Sequence, residues 1–135
     1  MKKTRVLWCL ILILYAGGIF ALSSLPMTGG QPLFNFPGGD KVLHFLEFGL
    51  FYLLAWKAVP RRRFFVAFLL MAFYAGSDEF HQIFVATRTA SIFDWLADLT
   101  GGAAAAGLIR LYARFPLLDF LRRRILFLLR EDEEG

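Results

Sequence analysis

Cysteine is nearly absent from this chain. Of its 135 residues only Cys9 is a cysteine, so neither an intrachain disulfide nor a cysteine-based metal site is available. Charge is scarce too: Asp, Glu, Lys and Arg make up 19% of residues, against roughly 25% in an ordinary soluble domain. Hydrophobic residues reach 58% and the mean hydropathy is +0.56. Alternation of apolar and polar residues with period two is missing, which argues against a barrel. No internal repeat and no HExxH pattern is present.

What is present is four long apolar blocks, over 6–25, 42–59, 64–85 and 92–113. Each has about the 17–25 residues that a hydrocarbon core of roughly 30 Å requires of a helix. The reading is therefore all-α: a four-helix transmembrane bundle with short loops. The first block follows Lys2, Lys3 and Arg5 and ends near Ala21-Leu22-Ser23, in the order of a signal peptide, but it exceeds the usual apolar core of about 7–15 residues. A retained first helix is expected.

Basic residues set the orientation. With the N-terminus in the cytoplasm, all fifteen lysines and arginines except Lys41 and Arg88 fall on the cytoplasmic side, as the positive-inside rule requires. A multi-pass protein of the bacterial inner membrane with both termini cytoplasmic is expected. The net charge of +4 then reflects topology and anionic lipid headgroups, not nucleic acid. Segment 26–39 is an outer loop rich in Gly and Pro. After Pro116, residues 117–129 are too short to span and carry Arg122-Arg123-Arg124, which reads as an interfacial helix before an acidic tail at 131–134. The chain thus divides into a membrane domain, 1–115, and a cytoplasmic segment, 116–135.

Ionisable residues in spans cost about 2.5–3.5 kcal/mol each at a helix centre, and here they gather toward one end. Asp40, His44 and Glu47 share a face of the second helix, with Lys41 beside them. Asp78, Glu79, His81 and Gln82 begin fifteen residues after Arg63, roughly 20 Å from the cytoplasmic side. Asp78, His81 and Gln82 cover about 100° of the helix, and Glu79 lies about 100° from Asp78 on the other side, so the set faces two neighbours. The fourth helix opens with Asp94 and Asp98, one turn apart, after Arg88. Below Asp98, Gly101 to Gly107 offers small-xxx-small pairs such as Gly102/Ala106 and Ala103/Gly107, which predict close helix packing.

These residues resemble the VanZ-like family of bacterial membrane proteins. Ser23-Ser24 with Pro26 is similar to the end of the family's first helix, DKVLHFLEFG (Asp40 to Gly49) to its second-helix signature, and DEFHQIF (Asp78 to Phe84) to its DE-x-HQ-x-F stretch. Arg88, Asp94 and Gly102 fit the pattern that follows. Asp98 stands where asparagine is expected, and Ala86-Thr87 where proline and glycine are common. The resemblance covers about residues 20–107. It implies a membrane protein of the cell envelope, and the family's naming member is associated with reduced susceptibility to the glycopeptide teicoplanin.

Three functions compete. An enzyme would use His81 or His44 as proton acceptor with Glu79 or Asp78 orienting it. A binding protein would hold an amphiphile, a lipid-linked envelope precursor or a glycopeptide, with Arg88 and Lys41 on its phosphate or carboxylate. Asp40, His44, Glu47, Gln82, Asp94 and Asp98 would complete the pocket. A proton- or ion-coupled carrier ranks last, because carriers place their site at the midplane and often show repeats. No cofactor is expected. The histidines and carboxylates are suitable metal ligands, but their spacing matches no recognised zinc pattern. Against all three stands a static network that locks the helices together.

Overall fold

The computed structural model describes residues 2–26, 36–59 and 64–114. They form four α-helices and no strand: α1 (Lys2–Ser23), α2 (Gly39–Ala58), α3 (Phe64–Gln82) and α4 (Ile92–Arg114). Each helix falls on one of the apolar blocks. Most of the 26–39 loop, the basic loop before α3, the interfacial helix expected over 117–129 and the acidic tail lie outside the described residues.

Helix ends follow local chemistry. Gly38, at φ 84°, turns the chain into α2, a left-handed conformation that glycine adopts without steric cost. α3 stops at Gln82, short of the expected 85, because Ile83, Phe84 and Val85 donate to the carbonyls three residues back and tighten into a turn. Thr87 closes that turn at φ 68°, a left-handed position that costs a β-branched residue about 1–2 kcal/mol. Ser91 then caps α4: its carbonyl accepts from the backbone of Asp94 and Trp95, and its hydroxyl from Asp94.

The helices run alternately up and down. Cys9, near the start of α1, reaches the Ala58 carbonyl at the end of α2, while Lys41 at the start of α2 meets Asp94 at the start of α4. α2 and α3 form the inner pair; each touches all the others, and α1 does not touch α4. Phe48, Phe51, Tyr52 and Ala55 of α2 and Ala67, Met71 and Ala75 of α3 supply most of the buried core.

The outside of the bundle is as apolar as its centre. Leu14, Phe65, Phe73 and Phe84 are 71–79% exposed, and such residues recur on all four helices. A soluble monomer rarely shows so continuous an apolar surface. α1 and α4 are long and apolar enough to cross a membrane, as a membrane protein requires. α2 and α3, of 20 and 19 residues, have similar length but carry ionisable residues toward one end.

Close packing of α4 centres on Asp98, Gly101, Gly102 and Ala105, all buried. A Cβ at Gly101 would overlap the backbone carbonyl of Phe45 in α2, and one at Gly102 would meet the end of the Met71 side chain. Ala103 is exposed and a Cβ at Gly107 would meet nothing within 4 Å. The packing stripe therefore runs through Gly101 and Ala105, two residues earlier than the Ala103/Gly107 pair, because the turn that carries Asp98 inward also carries them. Gly101→Ala should destabilise the protein by about 1–3 kcal/mol, since a backbone must move. Gly107→Ala should be neutral or stabilising, by up to about 1 kcal/mol from helix propensity. Thermal unfolding in detergent micelles measures both, and equal midpoints would refute the close approach.

Candidate functional site

The polar residues gather where the end of α1, the start of α2, the end of α3 and the start of α4 meet. They form two groups on opposite sides of α3. The first lies among α2, α3 and α4. Lys41 Nζ donates to Asp40 (2.8 Å) and to Asp94 (2.7 Å), binding the starts of α2 and α4 together. Both residues precede the apolar run of α2. The hydrogen bond from Lys41 holds the Asp40 carboxyl below its ordinary range, and the two carboxylates raise Lys41.

One turn further in, His44 Nδ1 lies 2.9 Å from Asp98 Oδ1, and the Asp98 side chain is 1% exposed. Glu79 joins them from α3, also buried. Its Oε2 accepts the Ser91 backbone N–H at 2.8 Å, which sets a negative charge against the positive end of the α4 dipole. The other oxygen of each acid, Glu79 Oε1 and Asp98 Oδ2, is buried and has no hydrogen-bond partner among the described residues. Single ligand atoms from His44, Glu79 and Asp98 all lie within 4.8 Å of one another.

The second group ties α3 to α1. Ser23 Oγ donates to Asp78 Oδ1 (2.7 Å), and Gln82 Nε2 donates to Asp78 Oδ2 (3.2 Å). Ser24 Oγ and His81 Nε2 are 3.0 Å apart, and the Phe20 ring stacks on His81 with centroids 4.4 Å apart. Arg88 donates to the Leu22 and Leu25 carbonyls at 2.9 and 3.1 Å, satisfying acceptors that a helix C-terminus leaves without partners. The Tyr74 hydroxyl adds a bond to the Ala16 carbonyl.

Glu79 and the Asp78–His81–Gln82 set thus face different helices, as their angular spacing requires. The histidine–carboxylate pair that forms is His44–Asp98; among the described residues neither Asp78 nor Glu79 bonds His81. Glu47 is half-buried a turn below His44, and its carbonyl accepts the Tyr15 hydroxyl at 3.0 Å. The two cations expected to grip a ligand are both engaged, Lys41 by two carboxylates and Arg88 by α1. Sequence reasoning missed Ser91, although Ser91-x-x-Asp94 is a capping pattern. It named Ser23 and Ser24 only for their resemblance. For Tyr15 and Tyr74 no signal existed, because a tyrosine in an apolar run looks like core.

Comparison with protein families brings one finding: the model described as VanZ/LLP1 matches residues 6–113, spanning all four helices apart from a few terminal residues. Comparison with curated proteins and with solved structures gives no match.

The α1–α3 contact makes a thermodynamic prediction. Ser23→Ala and Asp78→Asn should be coupled by about 1.5–3 kcal/mol, the worth of a hydrogen bond to a charged group. Thr100→Ala, whose exposed hydroxyl bonds only its own helix, should be additive with Asp78→Asn to within about 0.5 kcal/mol. A double-mutant cycle on unfolding in detergent reads both, and additivity of Ser23 with Asp78 would contradict the bond.

Proposed function

The chain belongs to the VanZ/LLP1 family, and we propose that it is a four-span protein of the bacterial inner membrane whose polar site opens at the outer leaflet. The apolar exterior supports four spans, because Leu46, Leu50 and Leu53 of α2 and Phe65, Leu69 and Phe73 of α3 are as lipid-ready as the outer faces of α1 and α4. The distribution of charge supports the orientation. Lys57 sits over the Trp8 and Trp56 rings and Arg110 over Phe64, an aromatic and basic belt at the end opposite the acids, which the positive-inside rule assigns to the cytoplasm.

The site binds the polar headgroup of an amphiphile, of the lipid-linked cell-wall precursor or glycopeptide type. One observation carries this reading: two buried carboxylates from different helices, beside a histidine, each leave an oxygen without a partner among the described residues. A finished structural network would have satisfied both, because a buried acceptor left unpaired costs about 1–3 kcal/mol. The Ser23–Asp78–Gln82 group is such a finished network, and it positions α1. His44, Glu79 and Asp98 form the incomplete one. Acid/base chemistry on the bound headgroup is the second reading, favoured by the His44–Asp98 pair. Reduced teicoplanin susceptibility would be the cellular consequence.

The test uses purified protein in nanodiscs and an isolated undecaprenyl-linked cell-wall precursor as probe. Wild type should retain the probe, and Glu79→Gln and Asp98→Asn should bind it at least tenfold more weakly while melting within a few degrees of wild type. In cells, the same variants should lose any teicoplanin tolerance that the wild type confers, at unchanged membrane abundance. Unchanged affinity, or loss of binding only in step with loss of folded protein, would refute the assignment.

A further inference from the structure

The chain's own cations leave a problem for an anionic headgroup. Lys41 and Arg88 are already engaged, and the groups facing the site from α2, α3 and α4 are His44, Glu79 and Asp98. A phosphate or carboxylate approaching them would meet two acids and, among the described residues, no cationic side chain but the His44 imidazole. The acids are themselves under-compensated. Glu79 is 8% and Asp98 1% exposed, and among the described residues the only cationic side chain within ion-pair distance of either is the His44 imidazole.

We propose that His44, Glu79 and Asp98 bind a divalent transition-metal ion, with one ligand from each of α2, α3 and α4. Three observations support it. The donors are one imidazole and two carboxylates, an N/O set that suits Zn²⁺ or Mn²⁺, and with a neutral histidine the two acids cancel the charge of the ion. Their ligand atoms already lie within 4.8 Å of one another. Metal bonds of about 2.0–2.2 Å require ligands less than roughly 4.4 Å apart, so the set stands within a few tenths of an ångström of that limit. Finally, Glu79 Oε1 and Asp98 Oδ2 are buried acceptors with no hydrogen-bond partner among the described residues, and a cation would satisfy both.

The Ser91 N–H holds Glu79 through Oε2, the kind of outer bond that orients a ligand toward a metal, and the 2.9 Å contact between His44 and Asp98 brings two of the three ligands together already. None of the three lies within the spacing of a recognised zinc motif, so the site is assembled by helix packing alone. Three protein ligands leave a coordination position open, as in catalytic zinc sites. An anionic headgroup oxygen fits there, so the ion supplies the positive charge that Lys41 and Arg88 do not. This last step rests on the headgroup reading given above; the metal site does not.

The experiment is run without amphiphile, so the two proposals fail separately. The full chain is purified through a tag without histidines, stripped with chelator, and titrated with Zn²⁺, Mn²⁺ and Co²⁺ by calorimetry and visible absorption. Wild type should bind one equivalent, and Co²⁺ should give the ligand-field bands of a low-coordinate N/O site. His44→Ala, Glu79→Gln and Asp98→Asn should each weaken binding by at least 100-fold, beyond the roughly 10–100-fold cost of outer contacts. His81→Gln and Cys9→Ala should bind as wild type, excluding stray coordination by the other histidine and the thiol. If a variant fails to fold, the wild type still decides. Less than a tenth of an equivalent taken up by folded wild type, or affinity unchanged in Asp98→Asn or lost in His81→Gln, would overturn the site.

Discussion

Helices α2 and α4 meet with a backbone-to-backbone contact at Gly101, where any side chain would overlap the Phe45 carbonyl. Gly49, one turn along α2, stands close to the Gly101 carbonyl as well. This approach decides the chemistry above it. His44 precedes Phe45 by one residue and Asp98 precedes Gly101 by one turn, so bringing the two backbones together places the imidazole 2.9 Å from the carboxylate. The same contact seats Lys41 against Asp94 one turn further out. Small residues are how helices approach each other in lipid, where no hydrophobic drive separates helix from solvent. Here that approach also builds the site.

α3 divides the polar residues between structure and function. On one side, Asp78 accepts from both Ser23 and Gln82, and every one of its strong acceptors is used. On the other, Glu79 and Asp98 each keep a buried oxygen unsatisfied. Both groups bury a carboxylate, yet only the second leaves carboxylate oxygens without a hydrogen-bond partner among the described residues. Burying a polar group is at best repaid by its hydrogen bonds, so the completed group brings specificity of helix placement. Arg88 extends that role by closing the end of α1. The incomplete group brings cost without that return, and the proposed ligand would offset it.

Much of this was legible from residue order. Four apolar blocks placed α1 to α4 with ends correct to within a few residues, since length and apolar continuity govern helices in lipid. The acids and histidines were placed together at one end by counting residues from Arg63, and the opposed faces of Glu79 and Asp78 followed from their 100° spacing. Pairing across helices was not legible. Depth follows from one helix at a time, whereas the choice of His44–Asp98 over any pair with His81 depends on crossing geometry at Gly101. The engagement of Arg88 by α1 was invisible for a similar reason: backbone carbonyls leave no trace in sequence. The Ala103/Gly107 pair looked as good as Gly101 because a run of small residues presents several equivalent faces.

The proposed site requires the polar end of the bundle to face outward with the apolar shell in lipid. Cys9 is the only cysteine, so a Cys9→Ala background allows one thiol to be placed at a time. Thr89 lies in the exposed turn between α3 and α4, beside the site, and Lys57 at the opposite end of α2. In intact cells a membrane-impermeant maleimide should label a cysteine at 89 and spare one at 57 until the membrane is permeabilised. Labelling at 57 with protection at 89 would invert the topology, and equal labelling of both in intact cells would deny that the bundle spans the membrane.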